Sequence, residues 1–97
     1  MNQRLDHDHL ISPSWQLVSL VGFQKIVREF TFNNFAEAVG FIDLIAKIAD
    51  FLEHHPDVHI HNNRVTLETW THQAENNGLT EKDYALARKI DSLFILA

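Results

Sequence analysis

The chain has no cysteine. Disulfides, thiolate catalysis and cysteine-containing zinc sites are therefore excluded. It has only three glycines and two prolines, so no Gly-rich phosphate loop can be assembled and no linker divides it. Basic residues are few, with 8 Lys and Arg against 13 Asp and Glu, a net charge of −5 with His neutral. Such a chain lacks the basic face that displaces counterions from nucleic acid, although a protein partner remains open to it. No apolar run is long enough to span a bilayer. The start, "MNQRLDHDHL", lacks the basic and then apolar pattern of a signal peptide. A cytoplasmic protein with no membrane partner is expected. What is present is ordinary for a globular chain: 97 residues, 45% of them apolar and 22% charged. One domain over residues 1–97 is expected, with a small stability margin that self-association would help.

Residues 1–13 are polar and expected to be loosely held. "WQLVSLV" (Trp15 to Val21) and "KIVREFTF" (Lys25 to Phe32) are β-rich runs with Gly22 between them, which predicts a hairpin. "NNFAEAVGFIDLIAKIADFLEHH" then changes to a helical period, with Phe35, Ala38, Ile42, Ile45, Ala49 and Leu52 on one stripe. Asn33 or Asn34 can cap its start. Pro56 is expected to stop it, with His54 still helical and His55 pushed towards an extended conformation. A two-residue turn at Asn62-Asn63 gives a second hairpin, because Asn tolerates positive φ. His61 then faces Arg64, Ile60 faces Val65, His59 faces Thr66 and Val58 faces Leu67. That register puts Val58, Ile60, Val65 and Leu67 on one apolar face, and His59, His61, Arg64, Thr66, Glu68 and Trp70 on the other. After the loop "HQAENNG", "TEKD" fits a capping box with Thr80 at the N-cap and Asp83 three residues on. The last helix carries Tyr84, Ala87, Ile90 and Phe94 at helical spacing. The order β-β-α-β-β-α predicts an α+β fold, with helices packed on one face of an antiparallel sheet.

Four of the seven histidines fall within "EHHPDVHIHNNRV": His54, His55, His59 and His61. Imidazoles in a helix's last turn are favoured by the negative end of the helix dipole, which alone accounts for His54 and His55. Pro56 adds that the two rings can converge on a pocket beyond the helix end. Asp50 precedes His54 by four residues and can hold that ring's tautomer, although spacing alone favours a solvated surface charge. His72 lies at the end of the fourth strand, where site residues are common, but its periodicity reads as surface. His59 and His61 are two apart, a spacing that can chelate a metal, and a wet strand face explains them equally. With no cysteine and no second His pair at helical spacing, the pattern argues against a metal site. Trp70 reads as cover for the sheet rather than as a stacking platform. His7 and His9 take no role. Nothing resembles a serine nucleophile arrangement. What emerges is a histidine-rich mouth between a helix end and a strand end, suited to proton transfer near neutral pH, where imidazole titrates.

Asp50, "FLE", His54-His55-Pro56, then His72 at the end of the following hairpin and "GLTEKD" together resemble the pterin-4a-carbinolamine dehydratases. Upstream, "REFTFNNFAEAVGFIDLIAKIAD" resembles the family's second strand and long helix, and downstream "DYALARKID" resembles its last helix. The resemblance implies a four-stranded antiparallel sheet with helices on one face, assembled as a homodimer or homotetramer. It implies dehydration of 4a-hydroxytetrahydrobiopterin to the quinonoid dihydropterin, in support of the aromatic amino acid hydroxylases, with no metal or organic cofactor. Carried over by position, His54, His55 and His72 are the site histidines, His54 and His72 for acid–base work and His55 mainly for holding the pterin. Thr71, Asp83 and Asp50 match substrate-side positions, and Asp83 has a capping role as well.

This chain departs from the family pattern at three places. Asn62 stands where an aromatic is usual. The loop between His72 and Gly78 is longer by roughly two residues. The family's first helix is short or absent here, since residues 1–14 are few and polar. Two other functions compete with catalysis: a non-catalytic interaction or dimerisation module on the same fold, and a metal-binding protein using His54, His55, His59, His61 or His72.

Overall fold

The structure is a computed structural model that describes residues 11–72 and 78–96. Strand β1 (Gln16–Leu20) turns through Val21 and Gly22 into β2 (Phe23–Thr31), with Leu20 paired to Phe23. Gly22 has φ 91°, a left-handed conformation that a side chain would strain. Helix α1 (Phe35–Leu52) follows, then β3 (Asp57–His61), β4 (Arg64–Thr69) and helix α2 (Glu81–Leu96). The sheet order is β1-β2-β4-β3, antiparallel throughout, so β2 and β4 are central and β3 is an edge. The expected α+β fold and element order are what the chain adopts. The β3–β4 register is also the one expected, with His61 opposite Arg64 and Val58 opposite Leu67, and Asn62 takes the positive φ of 60° at the turn.

Alternation on the central strands supplies the core. Ile26 and Phe30 from β2, and Val65 and Leu67 from β4, face Ala38, Phe41 and Ile45 of α1 and Leu86, Ala87 and Ile90 of α2. Val58 and Ile60 share that face but remain exposed, because edge strand β3 extends beyond what the helices cover. The α1 stripe is largely the expected one: Ala38, Ile45 and Ala49 are buried and Ile42 and Leu52 pack against the core, but Phe35 is exposed and Phe41 joins the core. Phe41 packs against Phe30 and Phe32, each with ring centroids 5.0 Å away.

Beneath α2 lies a charged exception to this core. Arg28 occupies the helix side of β2, with its guanidinium 4.5 Å from the Phe30 ring centroid and 2.7 Å from Asp91. The same carboxylate accepts the Trp15 indole N–H at 2.7 Å and the Ser12 amide at 2.8 Å. Of the segment expected to be loosely held, residues 1–10 lie outside the described ones, whereas Ile11 is buried and Ser12 is fixed by Asp91. Among the described residues no helix precedes β1. Replacing Asp91 by Ala strands a largely buried guanidinium and frees the chain start. The expected cost is about 3 kcal/mol, read as a lower denaturant midpoint at unchanged slope.

The two ends that matter for the site are set by local chemistry. Asn34 caps α1, its side chain accepting the Glu37 amide at 2.8 Å. At the other end the helix stops one residue before the histidines. Glu53 adopts φ 57°, its amide reaches the Asp50 carbonyl (3.2 Å), and the His54 amide returns to the Ala49 carbonyl (3.1 Å). This is a Schellman ending. His54 is therefore not in the last helical turn, as the sequence suggested. A left-handed residue reverses the chain, and Pro56 only confirms a stop already made.

Candidate active site

Asp83 organises the site. It lies in the first turn of α2 and is wholly buried. A buried carboxylate needs its lone pairs filled, and here four donors converge on it. Oδ1 accepts the Thr69 hydroxyl (2.6 Å) and lies 2.7 Å from Nε2 of His54. Oδ2 accepts the Thr71 hydroxyl and the Thr80 amide, each at 2.9 Å. The bond from the Thr80 amide closes the expected capping box, and Thr80 Oγ1 in turn accepts the Lys82 amide at 3.3 Å. The helix cap and the contact with His54 thus meet in one side chain.

The sequence brings these groups together by simple means. Val65, Leu67 and Thr69 all point to the helix side of β4, so Thr69 is the polar member of an otherwise apolar row. Thr71 follows on the same side, and its amide donates to the Gly78 carbonyl at 2.5 Å. Gly78 is buried at φ 84°, and a Cβ there would lie 2.8 Å from the Gln24 carbonyl oxygen. Only glycine lets the chain pass so close to β2 and deliver Thr80 and Asp83 to the strand end. The Schellman reversal sends His54 to the same point from the other side.

Hydrogen-bond directions follow from the donor inventory. The ionised carboxylate only accepts, so His54 must present Nε2–H to it. Its Nδ1 is then the ring nitrogen that carries the lone pair. Thr71 donates to Asp83, so the 2.7 Å contact between the Thr71 and Thr80 hydroxyls runs from Thr80 to Thr71. Every hydroxyl proton in the cluster has a defined acceptor. The His54 side chain is only 12% exposed.

The other candidates are arranged differently. Asp50 binds His55 rather than His54, at 2.9 Å, and both side chains are largely exposed. His72 stacks on Trp70, with ring centroids 4.5 Å apart and planes 28° apart. His59 is 3.6 Å from Glu68, which pairs with Lys25 at 2.6 Å. Among the described residues no three His, Asp or Glu side chains come together as a metal site. The longer loop noted after His72 falls on residues 73–77, outside the described ones. Thr69 is the member that sequence reasoning missed. Its signal was present: a polar residue continuing an inward apolar row needs a buried partner.

The chain matches the family described as pterin 4 alpha carbinolamine dehydratase over residues 1–93. It belongs to that family. A relative from Thermomicrobium roseum, provisionally named a pterin-4-alpha-carbinolamine dehydratase, is 47% identical over 81 residues, 84% of this chain and 81% of its own length. The crystal structure of a transcriptional coactivator/pterin dehydratase from Brucella melitensis superposes with a TM-score of 0.76, covering 96% of each chain at 33% identity. A pterin dehydratase-like protein identified as a RuBisCO assembly factor in the alpha-carboxysome shares the fold, with a TM-score of 0.67 at 20% identity over 82% of this chain and 88% of that one. The family thus agrees with the resemblance carried by His54-His55-Pro56, His72 and Asp83. Among the described residues no helix is long and apolar enough to cross a membrane.

Proposed function

We propose that the chain dehydrates 4a-hydroxytetrahydrobiopterin, or a pterin of the same ring chemistry, to the quinonoid dihydropterin. The C4a–O bond breaks and the hydroxyl leaves as water after gaining a proton, while N5 loses its proton. The reaction is redox-neutral, so its balance closes with proton transfers alone. One imidazole must give a proton and one group must take one. His54 and His72 are assigned those duties, and His55, steadied by Asp50, holds the pterin. Asp83 and Thr71, expected beside the substrate, act in this reading through His54: their hydrogen-bonding capacity is spent on holding its Nε2–H tautomer. The observation that carries the proposal is the buried Asp83–His54 pair in a chain of this family.

The product would return to a reductive step that regenerates the tetrahydropterin for an aromatic amino acid hydroxylase. The test is direct. Purified protein added to freshly generated 4a-hydroxytetrahydrobiopterin should speed its absorbance decay, and His72→Ala should lose most of that acceleration. No acceleration by the wild type removes the enzyme reading.

We infer self-association as well, as a homodimer or homotetramer. Supporting it are Val58 and Ile60, exposed on edge strand β3, and Phe51 of α1, 83% exposed. Phe51 also helps line an apolar groove of about 330 Å³ with Ile48, Leu52 and Leu93. An isolated chain would leave these in water. Solution mass should be at least twice the 11.2 kDa of one chain; a monomer at micromolar concentration contradicts the inference. The same apolar α1 face is what an interaction module would use, so the second reading is separated from the first by turnover and not by assembly.

A further inference from the structure

Trp70 has no part in the chemistry described so far, yet it is the ring on which His72 rests. It follows the last residue of β4 and sits on the open side of the sheet. Thr71 between them turns to the helix side to reach Asp83 at 2.9 Å. The tripeptide Trp70-Thr71-His72 is thereby split: its middle residue is tied to the His54 cluster, and its two outer rings stack on one another. The indole is itself braced. Phe23 of β2 lies with its ring centroid 5.2 Å away. The Lys25 ammonium is 5.6 Å from the indole centroid and is held by Glu68 at 2.6 Å. A half-buried indole gripped on β2 and β4 is a rigid object. His72 is exposed, and among the described residues its ring contact is with this indole.

We propose that Trp70 is a positioning residue for His72, setting the plane of the imidazole through the indole face. The proposal rests on His72 taking part in the reaction, as assigned above. An indole face favours a ring carrying positive charge, so the stack also suits an imidazole that holds a proton on the way to the leaving hydroxyl. Neither a surface role nor simple cover for the sheet requires an aromatic residue here, since Leu would cover Phe23 equally well.

The experiment combines proton NMR of the histidine rings with steady-state kinetics on the full chain. In the wild type the His72 ring protons, assigned by their loss in His72→Ala, should lie upfield of those of His59 and His61, because they sit over an indole. Trp70→Phe should keep most of that shift and a kcat within about twofold of wild type. Trp70→Leu, which preserves the apolar contact with Phe23, should lose the shift and about fivefold in kcat with KM little changed. Absence of the upfield shift in the wild type overturns the proposal without any variant. So does a Trp70→Leu enzyme that loses the shift but keeps its kcat, or one changed only in KM. If instead His72→Ala turns over normally, the assignment of His72 fails, and the NMR result still says whether the stack exists. The two failures are thus told apart.

Discussion

Asp83→Asn is expected to fold nearly as well as the wild type and to lose dehydration by 10²-fold or more. The reasoning starts from four donors facing one carboxylate. An amide offers one oxygen and one NH₂ group, so two of the donors must turn round. The Thr80 backbone N–H cannot. The Thr69 hydroxyl and the His54 ring can, by rotating the hydroxyl and by moving the imidazole proton from Nε2 to Nδ1. The amide oxygen therefore takes the Thr71 and Thr80 side, and its NH₂ faces His54. His54 is left as the opposite tautomer, with Nδ1 protonated and no lone pair to offer there. General acid–base catalysis contributes about 10²–10⁴ in rate, and the loss should fall in that range. Nitrogen chemical shifts of the His54 ring would record the tautomer change directly. Asp83→Ala should behave differently. It leaves all four donors without their acceptor in a buried place, at a cost of about 4 kcal/mol. A Tm drop in Asp83→Ala much larger than in Asp83→Asn separates the two effects. Equal activity in Asp83→Asn and wild type would remove Asp83 from the mechanism.

His54→Ala should abolish most catalysis while changing stability much less than Asp83→Ala. The variant removes one of Asp83's donors and leaves three. The vacated space opens at the edge of the cluster, so water can replace the lost N–H. The expected rate loss is about 10³-fold, with the cap of α2 intact. His55→Ala should act more on KM than on kcat, because its partner Asp50 is exposed and neither is locked into the cluster.

Much of this was readable from residues alone, for physical reasons that differ by element. The second hairpin was legible down to its register, because Asn62 and Asn63 fix the turn and a period of two then fixes every pair. The capping box at Thr80 was legible because it is a local motif. The end of α1 was not. Pro56 is a strong stop signal, whereas Glu53, where the helix is capped, has no compositional mark of a left-handed residue. Asp50 was matched to His54 by helical spacing, but that spacing ceases to apply once the helix ends at Leu52, and the carboxylate goes to His55. Phe35 read as core because it sits on the stripe's period. At the first turn of α1 it is instead left exposed. The pairing of Asp83 with His54 spans 29 positions. It depends on where Gly78 lets the chain cross β2, which no local pattern reports. Alternation by two puts Trp70 and His72 on one side of the chain, but it does not report that their rings stack.

The central claim is that His54, held by Asp83 as the Nε2–H tautomer, takes the pterin proton whose loss accompanies departure of the C4a hydroxyl. The most direct measurement is the rate of 4a-hydroxytetrahydrobiopterin dehydration by wild type and His54→Ala at equal concentration, with both confirmed folded. The account predicts strong acceleration by the wild type and a rate close to that in buffer for the variant. Comparable acceleration by both proteins would contradict it.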